Sequence, residues 1–269
     1  MQNSTVVFQL NISNKTSFRA SISRPNAKPR TVGNNTRNDL KHGFYIKSKK
    51  EQNQIQFLIG FFALIIILTS LYISWKSGMY LFVILTFPIT LSIIAPFFDT
   101  PSLKKSGGLI YYSPLFLSEK RKRGMIKIHG GTLFDYVFVI DQKMNGKQRT
   151  NFIIQQYLEG LLNLIEENEN NKFENIKIRG TSYIINERTA QRIGFKIAKT
   201  DNIQKLILLY NCFNVLITYS IAKGKLSFPN LKETKTFETN LKELDKRKDF
   251  IRSLNDKLKS TIANNSYTQ

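Results

Sequence analysis

The sequence predicts an α/β or α+β cytoplasmic domain carried on an N-terminal two-helix transmembrane hairpin. Three observations lead there. Two uncharged apolar runs, Ile55–Trp75 and Met79–Phe98, are separated only by Lys76-Ser77-Gly78. Basic residues flank the outer ends of both runs. After residue 106 the apolar residues come in short runs whose period switches between that of a strand and that of a helix. Each long run holds about 20 residues, which at ~1.5 Å rise per residue spans the ~30 Å hydrocarbon core of a bilayer.

The chain has 269 residues, with 40 Lys and Arg against 19 Asp and Glu, a net charge of +21. Lys and Arg accumulate on the cytoplasmic side of membrane proteins. Lys47, Lys49 and Lys50 precede the first run, while Lys104, Lys105, Lys120, Arg121, Lys122 and Arg123 follow the second. Both ends therefore read as cytoplasmic, with the connector on the far side. These nine residues are the expected lipid-facing set, since each basic residue near an anionic leaflet contributes ~1 kcal/mol. Nucleic-acid binding would need a basic face with aromatic or groove-entering elements. Tyr111, Tyr112 and Phe116 flank Lys120–Arg123, but no nucleic-acid module fits, which speaks against that partner.

The single cysteine, Cys212, excludes an intrachain disulfide and fits a reducing compartment, where it reads as a buried structural thiol. An Asn- and Lys-rich composition with one cysteine is compatible with a bacterial inner membrane. Residues 1–45 are rich in Asn, Ser, Thr and basic side chains without an apolar period, and are expected to be a disordered basic tail. Residues 46–106 form the hairpin with its flanks, and 107–269 the domain. In the second run Pro88 should kink the helix and Pro96 sits in its last turn. Thr69, Ser70, Thr86, Thr90 and Ser92 are expected to hydrogen-bond across the pair or to carbonyls freed by Pro88. Neither run carries an ionisable group, so the hairpin reads as an anchor rather than a conduit.

Beyond a linker with Gly107, Gly108 and Pro114, Met125–Ile128 and Leu133–Ile140 read as strands of a hairpin turning at His129-Gly130-Gly131-Thr132. That pairing sets Asp135 opposite Ile126. Asp141–Arg149 reads as a polar loop and Thr150–Glu167 as a helix with one broad apolar stripe. Strands follow at Asn175–Arg179 and Ser182–Ile185, then a helix Glu187–Ile193 ended by Gly194, and a strand Phe195–Ala198. Asp201-x-x-Gln204 caps a helix to Tyr210, and Asn214–Ile221 reads as a strand. Lys223–Pro229 is a basic turn. Asn240-x-x-Glu243 is expected to cap one final amphipathic helix running to about Ile262.

Candidates for chemistry are few. A buried carboxylate at Asp135 costs several kcal/mol unless partnered, so it should have partners or act as a base. His129 is a candidate acid, base or ligand, yet the only other histidine, His42, falls in the expected tail. His129, Asp135 and Asp141 are thus the catalytic candidates, and no metal site or cofactor motif is expected. Lys143, Lys147 and Arg149 are weak ligand-binding candidates at a loop-to-helix junction. Gly146-Lys147 lacks the remaining residues of a phosphate-binding loop.

These readings favour a non-enzymatic, membrane-anchored interaction or regulatory domain that meets a protein partner through its surface or final helix. A membrane-associated enzyme acting on a phosphorylated, nucleotide-linked or lipid substrate is the first alternative. An oligomeric membrane-disrupting effector is the second.

Overall fold

The computed structural model describes residues 42–169, 176–182, 187–199, 210–230 and 234–266. Two long apolar helices, α1 (Lys49–Ser77) and α2 (Leu81–Lys105), pack side by side and precede a mixed domain. Both are long and apolar enough to cross a membrane. They outrun the expected spans at their outer ends. Ser48 opens α1 with a capping box on Glu51, and Gly78 closes it in the left-handed region. Helix α2 carries Pro88, Pro96 and Pro101 in its interior and runs two turns past Phe98.

A proline at position i leaves the carbonyl of residue i−4 without its helical donor. Two of these carbonyls find side-chain donors. Gln56 Nε2 donates to Phe97 O, freed by Pro101, at 2.9 Å, and Asn214 Nδ2 donates to Ser92 O, freed by Pro96, at 2.8 Å. The expected cross-hairpin bonds of the hydroxyls do not form in this way. Ser70 donates to Ile67 O and Thr86 to Phe82 O, each within its own helix, because that carbonyl is always in reach.

Among the described residues the domain holds one six-stranded sheet in the order β1-β2-β3-β4-β6-β5. The strands are β1 (Leu109–Ser113), β2 (Phe116–Glu119), β3 (Met125–Gly130), β4 (Lys177–Ser182), β5 (Lys196–Ala198) and β6 (Lys235–Asn240). Among the described strands only β3 and β4 are parallel, with Ile126 beside Ile178. Between them lie α3 (Leu133–Val139) and α4 (Gly146–Asn168). The remaining helices among the described residues are α5 (Glu187–Arg192), α6 (Cys212–Lys223), α7 (Leu241–Asp245) and α8 (Lys248–Ser266). One face of the sheet packs Phe116, Ile126, Ile178 and Phe237 into the main core with Leu161, Leu164 and Ile165 of α4. Gly160 lets α4 approach closely, since a Cβ there would lie 2.5 Å from Phe116. The opposite face buries Leu109, Tyr111 and Leu117 beneath Tyr45 and Leu103.

Several expectations need correction. Leu133–Ile140 is not a strand: Thr132 and Asp135 close a capping box, and Tyr136 N–H bonds Thr132 O, so the segment starts as helix α3. Strand β3 therefore pairs with β2 and β4, and Asp135 does not oppose Ile126. Gly130 and Gly131 keep negative φ. Gly131 is needed for close approach instead, because a Cβ would sit 2.8 Å from the Leu115 side chain. Asn214–Ile221 is also helical, within α6, where α2, α3 and α4 surround it. The linker before residue 125 contains β1 and β2, and β6 lies where no strand was expected.

The smaller corrections concern element ends. The end of the Asp141–Arg149 loop belongs to α4, capped by Asn145 with Gln148. Ser182 ends β4, while Asn175, residues 183–186 and the helix expected over 201–209 lie outside the described residues. Asn240 makes no side-chain cap, and the final helix is broken into α7 and α8 at residues 246–247. Cys212 is half-buried. Gly194, at φ +98°, ends α5 as expected. The tail reading fails for residues 42–45, which pack on the domain, and residues 1–41 lie outside the described residues.

Asn214→Leu keeps the volume but removes the donor from Ser92 O. It should cost about 1 kcal/mol, measured by reversible unfolding of the full chain in detergent micelles. A neutral outcome would mean that the freed carbonyl needs no partner.

Candidate functional site

The apolar hairpin meets the domain at its foot, and the polar chemistry of the chain concentrates there. Helix α1 starts beside the end of α2, so Lys47, Lys49 and Lys50 come near Lys104 and Lys105. Lys49 and Lys104 are close enough for their charges to interact. After α2 the chain turns through Gly107 and Gly108, and Gly108 O accepts the Lys120 N–H at 3.2 Å. This ties the third basic run to the base of the hairpin. Lys122 and Met125 then pair as a two-residue turn with Arg123 at φ +49° and Gly124 at φ +73°, which leaves Lys120, Arg121, Lys122 and Arg123 exposed. Three basic runs separated in sequence thus gather into one collar.

Beneath that collar lies Asp135, 0 % exposed. Its Oδ1 accepts from Tyr111 OH at 2.6 Å and His42 Nε2 at 3.1 Å. Its Oδ2 accepts from the Thr132 N–H at 2.6 Å and the Thr132 hydroxyl at 2.9 Å. His42 Nδ1 accepts the Phe44 N–H, which places the ring proton on Nε2, facing the carboxylate. Thr100 of α2 reaches the Thr132 hydroxyl at 3.3 Å. Lys104 Nζ stands 3.3 Å over the Tyr45 ring and 5.1 Å from Tyr111. Burial, reinforced by the charge of Asp135, pushes both the Tyr45 and Tyr111 hydroxyls up, so neither ionises near neutrality. Asp135 therefore has the partners its burial demands. All four acceptor positions are filled, which leaves none for a substrate.

The other candidates lie apart from it. His129 Nε2 meets Glu119 Oε1 at 3.1 Å, both buried, on the sheet face shared with Leu117. Burial raises the Glu119 carboxyl, but the His129 hydrogen bond and the charges of His129, Lys127 and Lys122 outweigh it and hold it below the usual range. Asp141 is exposed and accepts the Lys143 N–H. Arg149 donates to the carbonyls of Met144, Ile221 and Gln142, which fastens α6 to the start of α4. Lys147 is exposed. Asp135 is thus buried on its own donors, Asp141 and Lys147 are exposed, and Arg149 is held on backbone carbonyls.

A cleft of about 520 Å³, counted to its open mouth, lies elsewhere, between Phe116, Ile128, Tyr157, Leu161, Phe195 and Phe237. Of the candidates only His129 borders it. Among the described residues no group of three or more His, Cys, Asp or Glu is placed to hold a metal.

Sequence reasoning missed His42, Tyr111 and Glu119. Thr132-x-x-Asp135 was the one local signal of the network, because it matches a capping box. No protein-family model, curated protein or solved structure matches the chain, so its functional reading rests on this geometry.

Asp135→Ala would strand the Tyr111, His42 and Thr132 donors and should destabilise the protein by roughly 3 kcal/mol or more. Urea unfolding of the full chain in micelles, followed by circular dichroism, reads this directly. The lowered Glu119 carboxyl stabilises the fold above the ordinary carboxylate range, and that share is lost as pH falls through its folded value. The stability gap between the parent and Glu119→Gln should therefore be present at neutral pH and narrow below about pH 4. A gap independent of pH would contradict the ion pair.

Proposed function

We propose that this chain is a membrane-anchored interaction or regulatory protein. Its hairpin is the anchor, and its basic collar binds anionic lipid head groups at the cytoplasmic face. The observation that carries the reading is the gathering of Lys47–Lys50, Lys104–Lys105 and Lys120–Arg123 at one end of two helices whose exposed side chains are otherwise almost all apolar. The opposite end supports the anchor. Tyr72, Trp75 and Tyr80 are exposed around the connector, as in an interfacial aromatic belt, and Lys76 lies 5.8 Å from the Trp75 ring. Both ends of the described chain would then lie on the cytoplasmic side, compatible with a bacterial inner membrane. Protein partners would use the domain surface or the exposed side of α8.

Enzymatic chemistry gains little support. The carboxylate with the strongest environment is saturated by its own neighbours, and the basic loop residues are exposed or clamped on carbonyls. A membrane-disrupting pore would need a polar outward stripe, whereas Ser70, Ser74, Thr90 and Ser92 are buried.

The collar predicts a lipid-dependent footprint. In nanodiscs of the full chain, amide exchange over residues 104–125 should slow when anionic lipid replaces zwitterionic lipid. The protection should fade at ~1 M salt, where the Debye length falls to ~3 Å. Identical exchange in both lipids would sink the lipid part of the reading. Topology is tested separately with Ser77→Cys in a Cys212→Ser background. A thiol reagent that cannot cross the membrane should label it only from the side opposite the domain.

A further inference from the structure

We infer that the N-terminal end of helix α6 is a third membrane-contacting element, seated in the head-group and acyl boundary beside α2. The inference rests on the membrane-anchor reading and goes beyond it, because it makes part of the domain itself lipid-bound rather than tethered at a distance.

Two changes of surface character fix the depth of the hairpin. On α1 the exposed residues are polar up to Gln54 and apolar from Phe57 to Leu68. On α2 Asp99 follows the last apolar residue of the run, Phe98. Gln56 bonds Phe97 O, so these two changes occur at one level, which marks the edge of the apolar layer. Asn214 is bonded to Ser92, five residues further toward the connector, or ~7 Å deeper at 1.5 Å per residue. Helices that lie in a bilayer interface bury their apolar side by ~5–10 Å.

At that depth Asn214 has its donors bonded, while its Oδ1 is buried without a partner among the described residues. It is 0 % exposed, and its amide serves both the carbonyl that Pro96 leaves free and the Ser92 hydroxyl at 3.2 Å. A polar side chain in hydrocarbon is tolerated when its donors are bonded within the protein. Two large side chains near it face outward: Tyr210 is 46 % exposed and Phe213 38 %. Helix α3 packs against both α2 and α6 and adds Val137, 47 % exposed, near the Phe97 level, where Phe97 touches Phe134 and Phe138. Among the described residues nothing covers this apolar rim, which in water would stand exposed. Its continuity with the apolar surface of α2 makes lipid the occupant that covers both.

The chain's single tryptophan, Trp75, is exposed near the connector and reports on the hairpin. The test compares the parent with Phe213→Trp and Tyr210→Trp, each in a Trp75→Phe background. The full chain is reconstituted in vesicles containing phosphatidylcholine brominated either high on the acyl chain or near its end. A tryptophan at 213 or 210 should emit at short wavelength and lose about half its intensity to the shallow bromines, with weaker loss to the deep ones. Quenching of Trp75 without quenching at either new position would overturn the inference, leave the anchor standing, and assign the rim to water or a protein partner. Absence of quenching at all three positions would overturn both. Two reporters three residues apart guard against a single substitution that disturbs folding.

Discussion

The carboxylate of Asp135 holds four parts of the chain in one place. Its two oxygens take donors from the segment before the hairpin (His42), from β1 (Tyr111) and from the cap of α3 (Thr132), and Thr132 is in turn bonded to Thr100 of α2. A charge with no solvent exposure survives only when its acceptor positions are filled, so removing any partner removes part of the reason for the others. The consequence is mechanical. The apolar hairpin is not joined to the domain by a free linker but is locked to it on both sides, by His42 ahead of α1 and by Thr100 and Lys104 at the end of α2.

The same rule operates along α2. Pro96 and Pro101 each cost a helical hydrogen bond, and each loss is made good by an amide side chain from another element, Asn214 and Gln56. The prolines thereby become docking points, because a carbonyl without its donor selects a partner at a fixed height. Gln56 fixes the level of the two helices relative to each other, and Asn214 fixes the level of α6 relative to both. Together with the Asp135 network, these bonds bring the three basic runs to one end of the hairpin.

Local signals were legible where a single interaction decides the structure. Gly194 ends α5, Leu158, Leu161 and Ile165 face the core along α4, and the two apolar runs form helices, all for reasons contained in a few neighbouring residues. The misreadings share a cause. Leu133–Ile140 and Asn214–Ile221 are rich in β-branched and aromatic residues, and their composition suits a strand or a helix buried on several sides. For the first, the capping box of Thr132 and Asp135 outweighs strand propensity. For the second, the helices packed around α6 decide. Strands β1, β2 and β6 carry no strong local signal, and only their pairing makes them visible.

The sequence by itself determined the two long apolar helices, the concentration of positive charge at their outer ends, and a mixed α/β domain beyond them. These follow from composition and periodicity, which act within a few turns of chain. Only the tertiary structure decided that His42 is a buried partner of Asp135, that Lys120 lies beside Gly108, and that Asn214 reaches Ser92. Those pairs stand 93, 12 and 122 residues apart. No local pattern encodes them, because each forms only when burial elsewhere brings a donor to an acceptor that water can no longer satisfy.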